Sequence, residues 1–122
     1  MNLCIFEGTI INDLNITSIK SKNGENIESL NLQLAIYRQG KGENKIYDYV
    51  TINAYGNDAK FINNYYKKQD NILVRTKVKT TKNEEGKWYS NYILIEVFPT
   101  EKLIKNEINE EGIENISNEE NA

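Results

Sequence analysis

Histidine is absent from the 122 residues, and cysteine and proline occur once each. Without imidazole there can be no Ser-His-Asp triad, no Cys-His dyad and no His-ligated metal. A single cysteine, Cys4, excludes an intramolecular disulfide and thiolate zinc clusters. It sits in the apolar run Leu3-Cys4-Ile5-Phe6 and is expected to be a small core residue. Carboxylates are scattered along the body of the chain without the compact spacing of a hard-metal site. No catalytic centre, metal or other cofactor is therefore expected, and the chain reads as a non-enzyme. No apolar run approaches the roughly 18 residues of a membrane span. The N-terminus lacks a basic stretch followed by an apolar one, so no signal peptide is expected. A cytoplasmic protein without a membrane partner is the expectation.

Positive charge is absent from the last seventeen residues. All fifteen Lys and Arg lie at or before Lys105, with twelve of the eighteen Asp and Glu, so residues 1–105 carry +3. Residues 106–122 hold six Glu and carry −6. This asymmetry divides the chain into a mildly basic domain, 1–105, and an acidic tail, 106–122. Ile108, Ile113 and Ile116 are too few to build a core, so the tail is expected to be disordered.

What the sequence does have is alternation. Side chains along a strand point to opposite faces in turn. Leu30, Leu32, Leu34 and Ile36 share one face of a strand, opposite Asn31, Gln33, Ala35 and Tyr37. In the stretch 46–56, Ile46, Val50, Ile52 and Ala54 fall on one face with Asp48 the polar exception, and Tyr47, Tyr49, Thr51, Asn53 and Tyr55 on the other. From Asn71 to Lys82, Ile72, Val74, Thr76, Val78 and Thr80 oppose Leu73, Arg75, Lys77 and Lys79. Trp88 to Phe98 forms a last strand, closed by Pro99, with Tyr89, Ile93, Ile95 and Val97 on one side and Trp88, Tyr92 and Leu94 on the other. Leu3 to Ile11 is a first strand bent near Gly8, with a weaker stretch at 14–19 and a hairpin signal at Asn23-Gly24. Ala59, Ile62 and Tyr66 are spaced as on a helix, expected over 58–68, with Asn57 or Asp58 as its N-cap and Lys67-Lys68 in its last turn. Tyr65 and Tyr66 are expected in the core.

The order is strand, strand, strand, helix, strand, strand. It predicts an all-β fold, a five-stranded antiparallel Greek-key barrel of the OB type with one short helix between strands 3 and 4. A two-sheet sandwich is the structural alternative. The outward faces hold more tyrosine than a core requires. Tyr47, Tyr49 and Tyr55 stand on one strand and the cations Arg75, Lys77 and Lys79 on another, with Tyr37, Arg38 and Trp88 near loop ends. Flat rings stack on bases, and cations neutralise phosphates. Together they predict a surface for single-stranded nucleic acid. Each member alone has a plainer explanation: tyrosine packs well in strands, and outward lysine blunts a sheet edge.

A family resemblance supports this reading. Met1-Asn2 leads into a strand ending at Gly8. Leu32-Gln33-Leu34-Ala35-Ile36 follows, then Tyr49-Val50-Thr51-Ile52-Asn53-Ala54-Tyr55-Gly56, Ala59 and Tyr65-Tyr66-Lys67-Lys68. With Val78-Lys79-Thr80 and Gly86-Lys87, these motifs cover residues 1–104 in order, and they resemble bacterial-type single-stranded DNA-binding proteins. The resemblance implies sequence-independent binding of single-stranded DNA in replication, recombination or repair, nucleoid-associated, by a homotetramer, with a dimer as the smaller alternative. It implies stacking roles for Tyr49 and Tyr55. Two further aromatic positions of the family fall near Gly40 and Asn83, which carry no ring; Tyr37 and Trp88 are the neighbouring substitutes. The family's acidic tail commonly ends in an apolar Pro-Phe tip that recruits replication and repair proteins. Here the last residues are Asn118-Glu119-Glu120-Asn121-Ala122, so recruitment by that route is not expected. So compact a version would suit a phage or mobile element. The missing rings motivate a second reading, an OB-fold protein-interaction module with weak or no DNA binding.

Overall fold

A computed structural model describes residues 1–99. The proposed boundary at 105 and the acidic tail lie outside the described residues. The elements are β1 (Cys4–Ile10), β2 (Thr17–Lys20), β3 (Asn26–Gln39), a single 3-10 turn (Gly42–Asn44), β4 (Ile46–Tyr55), α1 (Asn57–Tyr65), β5 (Asn71–Lys82) and β6 (Trp88–Val97). The 14–19 stretch gives β2, a short strand paired antiparallel with the start of β3 through the turn around Gly24. If β1 and β2 are taken as one broken strand, the helix stands between the third and fourth strands, as expected.

Pairing runs β1-β5-β6-β4-β3 and returns to β1 through Thr9↔Ala35 and Ile10↔Leu34, which closes a five-stranded barrel. Closure removes most of the exposed edges that an open sheet would present. Four seams are antiparallel. The fifth, β4 with β6, is parallel and short, carried by Ile52↔Tyr92 and Asn53↔Ile93. At the β1–β3 seam the backbones come too close for a side chain. A Cβ on Gly8 would sit 2.7 Å from the Ala35 carbonyl oxygen.

The core follows the alternation. Leu30, Leu32, Leu34, Ile52, Ala54, Ile72 and Val74 point inward and are buried, with Ile10, Thr76 and Leu94. Ile46, on the same face by parity, lies past the barrel's end and is exposed. Helix α1 plugs one end with Ala59 and Ile62, both fully buried. It starts one residue before the expected 58 and ends three residues before the expected 68. Gly56, at φ +61°, is the N-cap and gives no side-chain cap; Asn57 is already the first helical residue. The abrupt turn out of β4 needs a left-handed residue at that point, and glycine supplies it without a Cβ clash. At the other end Tyr66 turns extended to bury its ring, which leaves Lys67 and Lys68 beyond the helix. Among the described residues, no helix is long and apolar enough to cross a membrane.

Candidate nucleic-acid interface

The β3–β4 register fixes which outward side chains are neighbours. Tyr37 pairs with Tyr47, Ala35 with Tyr49, Gln33 with Thr51, Asn31 with Asn53 and Ser29 with Tyr55. Inward pairs alternate with these and form the core, so the tyrosines have no place inside. Tyr49 is 70% exposed, because its cross-strand neighbour, Ala35, is too small to cover the ring. Tyr37 and Tyr47 meet edge-on, centroids 6.2 Å apart, and the Tyr37 hydroxyl donates to the Gly40 carbonyl oxygen. A pocket of about 270 Å³ opens beside this pair, lined by Glu7, Thr9, Ala35 and Asn71 as well as the two rings. Tyr55 stands six residues along β4 from Tyr49, about 20 Å at the usual strand rise. The face therefore offers two aromatic stations. Between them lie the amides and hydroxyls Asn31, Gln33, Thr51 and Asn53, which can hydrogen-bond base edges or sugars.

The cations differ in what holds them. Lys77 and Lys79 point outward from β5, exposed, opposite Ile93 and Asn91. Among the described residues no carboxylate pairs with either. Arg75 is half-buried, its Nε 3.7 Å from Glu96 Oε1 across the β5–β6 pair, an ion pair too long for a hydrogen bond. Arg38 is the extra residue of a bulge between Tyr37 and Gln39. It closes a fork on Asp48, with its Nε 3.1 and 3.0 Å from the two carboxylate oxygens and a third contact from its terminal nitrogen. Hydrogen bonding to Asp48 raises the Arg38 guanidinium's pKa, and the same bonds hold the Asp48 carboxyl below its ordinary value. Asp48 carries the inward parity of Val50 and Ile52. Arg38 is thus drawn away from the tyrosine face.

Strands β5 and β6 continue past the barrel as a two-stranded arm, with residues 79–82 and 84–90 all exposed. Trp88, at 63% exposure, lies opposite Lys82 in the register, the ammonium 5.7 Å from the ring centre. That geometry is a cation–π contact. Of the nine residues expected at the site, Tyr37, Tyr47, Tyr49, Tyr55, Arg75, Lys77 and Lys79 share the outward parity, Arg38 is turned toward Asp48, and Trp88 stands on the other face of the arm. The sequence reading missed Tyr89, which is 48% exposed, and the amide floor between the aromatic stations. Asn31, Gln33, Thr51 and Asn53 had announced the floor by parity alone.

A closed five-stranded barrel, one end plugged by a helix between its third and fourth strands, is an OB-fold, the class whose barrel faces and loops take oligonucleotides and oligosaccharides. The profile of the Single-strand binding protein family matches residues 1–99, and the chain belongs to that family. Among curated protein sequences none matches the chain. Among solved structures it is similar to wild-type single-stranded DNA binding protein from Thermus aquaticus, at 18% identity and a TM-score of 0.64, covering 83% of this chain and 50% of that one. A deletion mutant of the same Thermus protein gives 18% identity and a TM-score of 0.63, covering 83% of this chain and 51% of that one. The SSB domain of a Synechococcus sp. protein gives 10% and 0.57, covering 81% of this chain and 96% of that one. The chain thus spans about half the length of the Thermus proteins it matches. At these identities the likeness concerns the fold.

Proposed function

We propose that this chain binds single-stranded DNA without sequence preference and shields it during replication, recombination or repair. The carrying observation is the outward ladder of Tyr47, Tyr49 and Tyr55 on a fully formed barrel, beside the uncompensated Lys77 and Lys79. Stacking contributes about 1–3 kcal/mol per base and does not depend on sequence. The lysines add the salt-sensitive term. Binding, not catalysis, is what such a surface offers. Fluorescence anisotropy of a labelled oligo-dT, with duplex as competitor and a salt titration, tests the reading. Affinity that ignores salt, or duplex that competes equally, would sink it.

Assembly of two or four copies is part of the proposal. The edge of β1 over residues 4–8 is paired with β5 on one side and, among the described residues, with no strand on the other. Ile5 is 57% exposed and Leu3 is exposed beside it, so a second copy would cover apolar surface as well as strand edge. Mass in solution by light scattering tests this, and a monomer at micromolar concentration would count against it.

One observation favours a second reading, a protein-interaction module. Two of the four expected cations, Arg38 and Arg75, already face carboxylates. Replacing Tyr49 and Tyr55 with Ala separates the two. Unchanged DNA affinity with loss of self-association or of a partner would support the second.

A further inference from the structure

We infer that the β5–β6 arm meets DNA through Tyr89, held by Asn83, and not through its neighbour Trp88; this rests on the DNA-binding reading above. Adjacent residues of a strand face opposite ways, so the arm can place only one of these two rings on the side of the tyrosine ladder. The register says which. Lys77, Lys79 and Thr81 point outward from β5, and their partners on β6 are Ile93, Asn91 and Tyr89. Trp88 pairs with Lys82 on the reverse face.

The parallel seam carries the same parity to β4. Asn53 is level with Ile93, and both point outward. Continuing that register four residues toward the start of each strand brings Tyr89 level with Tyr49. The parallel ladder runs only over Ile52–Asn53 and Tyr92–Ile93, so no backbone pairing joins the two strands between Tyr49 and Tyr89. Lys79 lies on the same outward face of the arm as Tyr89.

Tyr89 is also held in place. The Asn83 side-chain Nδ2 donates to its hydroxyl at 3.0 Å, and the side-chain Oδ1 of Asn83 accepts from the Lys87 backbone N–H at 2.7 Å. The same side chain thus shapes the hairpin tip and steadies the ring. An exposed aromatic with a fixed hydroxyl has less freedom to lose when a base stacks on it. Trp88 is already occupied by the Lys82 ammonium on one face.

The experiment compares labelled oligo-dT affinity for the full chain and for Tyr89→Ala, Tyr89→Leu, Trp88→Ala and Tyr49→Ala, each checked by circular dichroism and melting. Loss of one stacked base corresponds to about 5- to 150-fold weaker binding. Tyr89→Ala and Tyr89→Leu are both expected in that range and Trp88→Ala within about twofold. The leucine variant keeps apolar bulk and strand propensity, so its loss reports the π face and not folding. Asn83→Ala should weaken binding more in the natural chain than in a Tyr89→Phe background, where the tethered hydroxyl is gone and only the hairpin-tip bond to Lys87 is left to lose. A purely structural Asn83 would cost the same in both. If oligo-dT binds, Tyr49→Ala weakens it and Trp88→Ala outweighs Tyr89→Leu, the inference is overturned and the DNA-binding reading stands. If the unsubstituted chain binds no oligo-dT at all, both fall.

Discussion

Removing charge from β5 gives the sharpest test of how the barrel holds a phosphate backbone. For single strands the slope of log K against log salt is about −0.7 per neutralised phosphate. Lys77 and Lys79 are exposed and, among the described residues, unpaired, so each is available to displace a counterion. Replacing both with Ala should shallow the slope by about 1.4. Across a fourfold rise in salt, from about 0.05 to 0.2 M, the affinity gap between natural chain and variant should close by about sevenfold. Arg75 provides the internal control. Its guanidinium already faces Glu96 and is half-buried, so it has little counterion to release. Arg75→Ala should change the slope by less than half the value for one lysine, and its main effect should be a lower melting temperature, because it is half-buried in the sheet between Ile5 of β1 and Glu96 of β6. Anisotropy titrations at five or six salt concentrations measure all three slopes. An Arg75→Ala slope as altered as that of a single lysine variant, or a double lysine variant with an unchanged slope, would refute the assignment of free and neutralised cations.

Gly8→Ala should lower stability by about 1–3 kcal/mol, the usual cost of overpacking, since the new Cβ would press on the Ala35 carbonyl oxygen at 2.7 Å; calorimetry reads this as a fall of several degrees in Tm. Ile62→Ala should cost about 2–5 kcal/mol, because Ile62 is fully buried where α1 plugs the barrel, and a urea titration would show a lower midpoint with an unchanged slope. For the Arg38–Asp48 fork, the folded Asp48 carboxyl lies below its ordinary pKa because Arg38 hydrogen-bonds it. Its contribution is therefore present above the ordinary carboxylate range and fades as pH falls through the lower folded value. Asp48→Asn should melt slightly below the natural chain at neutral pH and alongside it near pH 2, about two units under a free carboxylate; a gap that widens on acidification would contradict the fork. Deleting residues 106–122 removes six negative charges and should tighten oligo-dT binding at low salt, with the gain disappearing at high salt.

The alternation of Leu30, Leu32 and Leu34 against Asn31 and Gln33 was enough to place β3 and its core face, and Ile52 with Ala54 did the same for β4. Both strands lie in long antiparallel ladders, where parity survives from end to end. Parity failed at two bulges. Leu94 and Val97 are three residues apart, so strict alternation puts them on opposite faces. In the barrel both turn toward the core, because the β5–β6 register slips between Arg75 and Thr76 and leaves Ile95 as the extra residue. Arg38 is the second case, rotated out of register toward Asp48. The helix cap was misplaced for a third reason. Asn57 is a good capping residue on propensity, but the chain must leave β4 through a positive φ that Gly56 adopts more easily.

The Ile95 bulge explains why one sequence reads as both core and site. Were Ile95 paired in a regular ladder instead, the parity that turns Leu94 inward at Thr76 would turn Val97 outward, opposite Leu73, and the barrel would lose apolar contact at that end. With it, Val97 joins the core while Asn91 and Tyr89 remain on the outward face, level with Lys79 and Thr81. A bulge also increases local twist, which helps to swing the arm clear of β4 beyond the short parallel seam at Ile52 and Asn53. The bulge thus reconciles an inward Val97 with an outward Tyr89 in this sequence. Deleting Ile95 should convert it to a regular ladder, because Leu94, Glu96 and Val97 would keep Thr76, Arg75 and Val74 as partners and keep their faces. Tyr89 would stay opposite Thr81, so oligo-dT affinity should fall far less than in Tyr89→Ala, and the melting temperature should change only by what the altered twist costs. A deletion variant that binds as weakly as Tyr89→Ala would show that the face assigned to Tyr89 is not carried by this register.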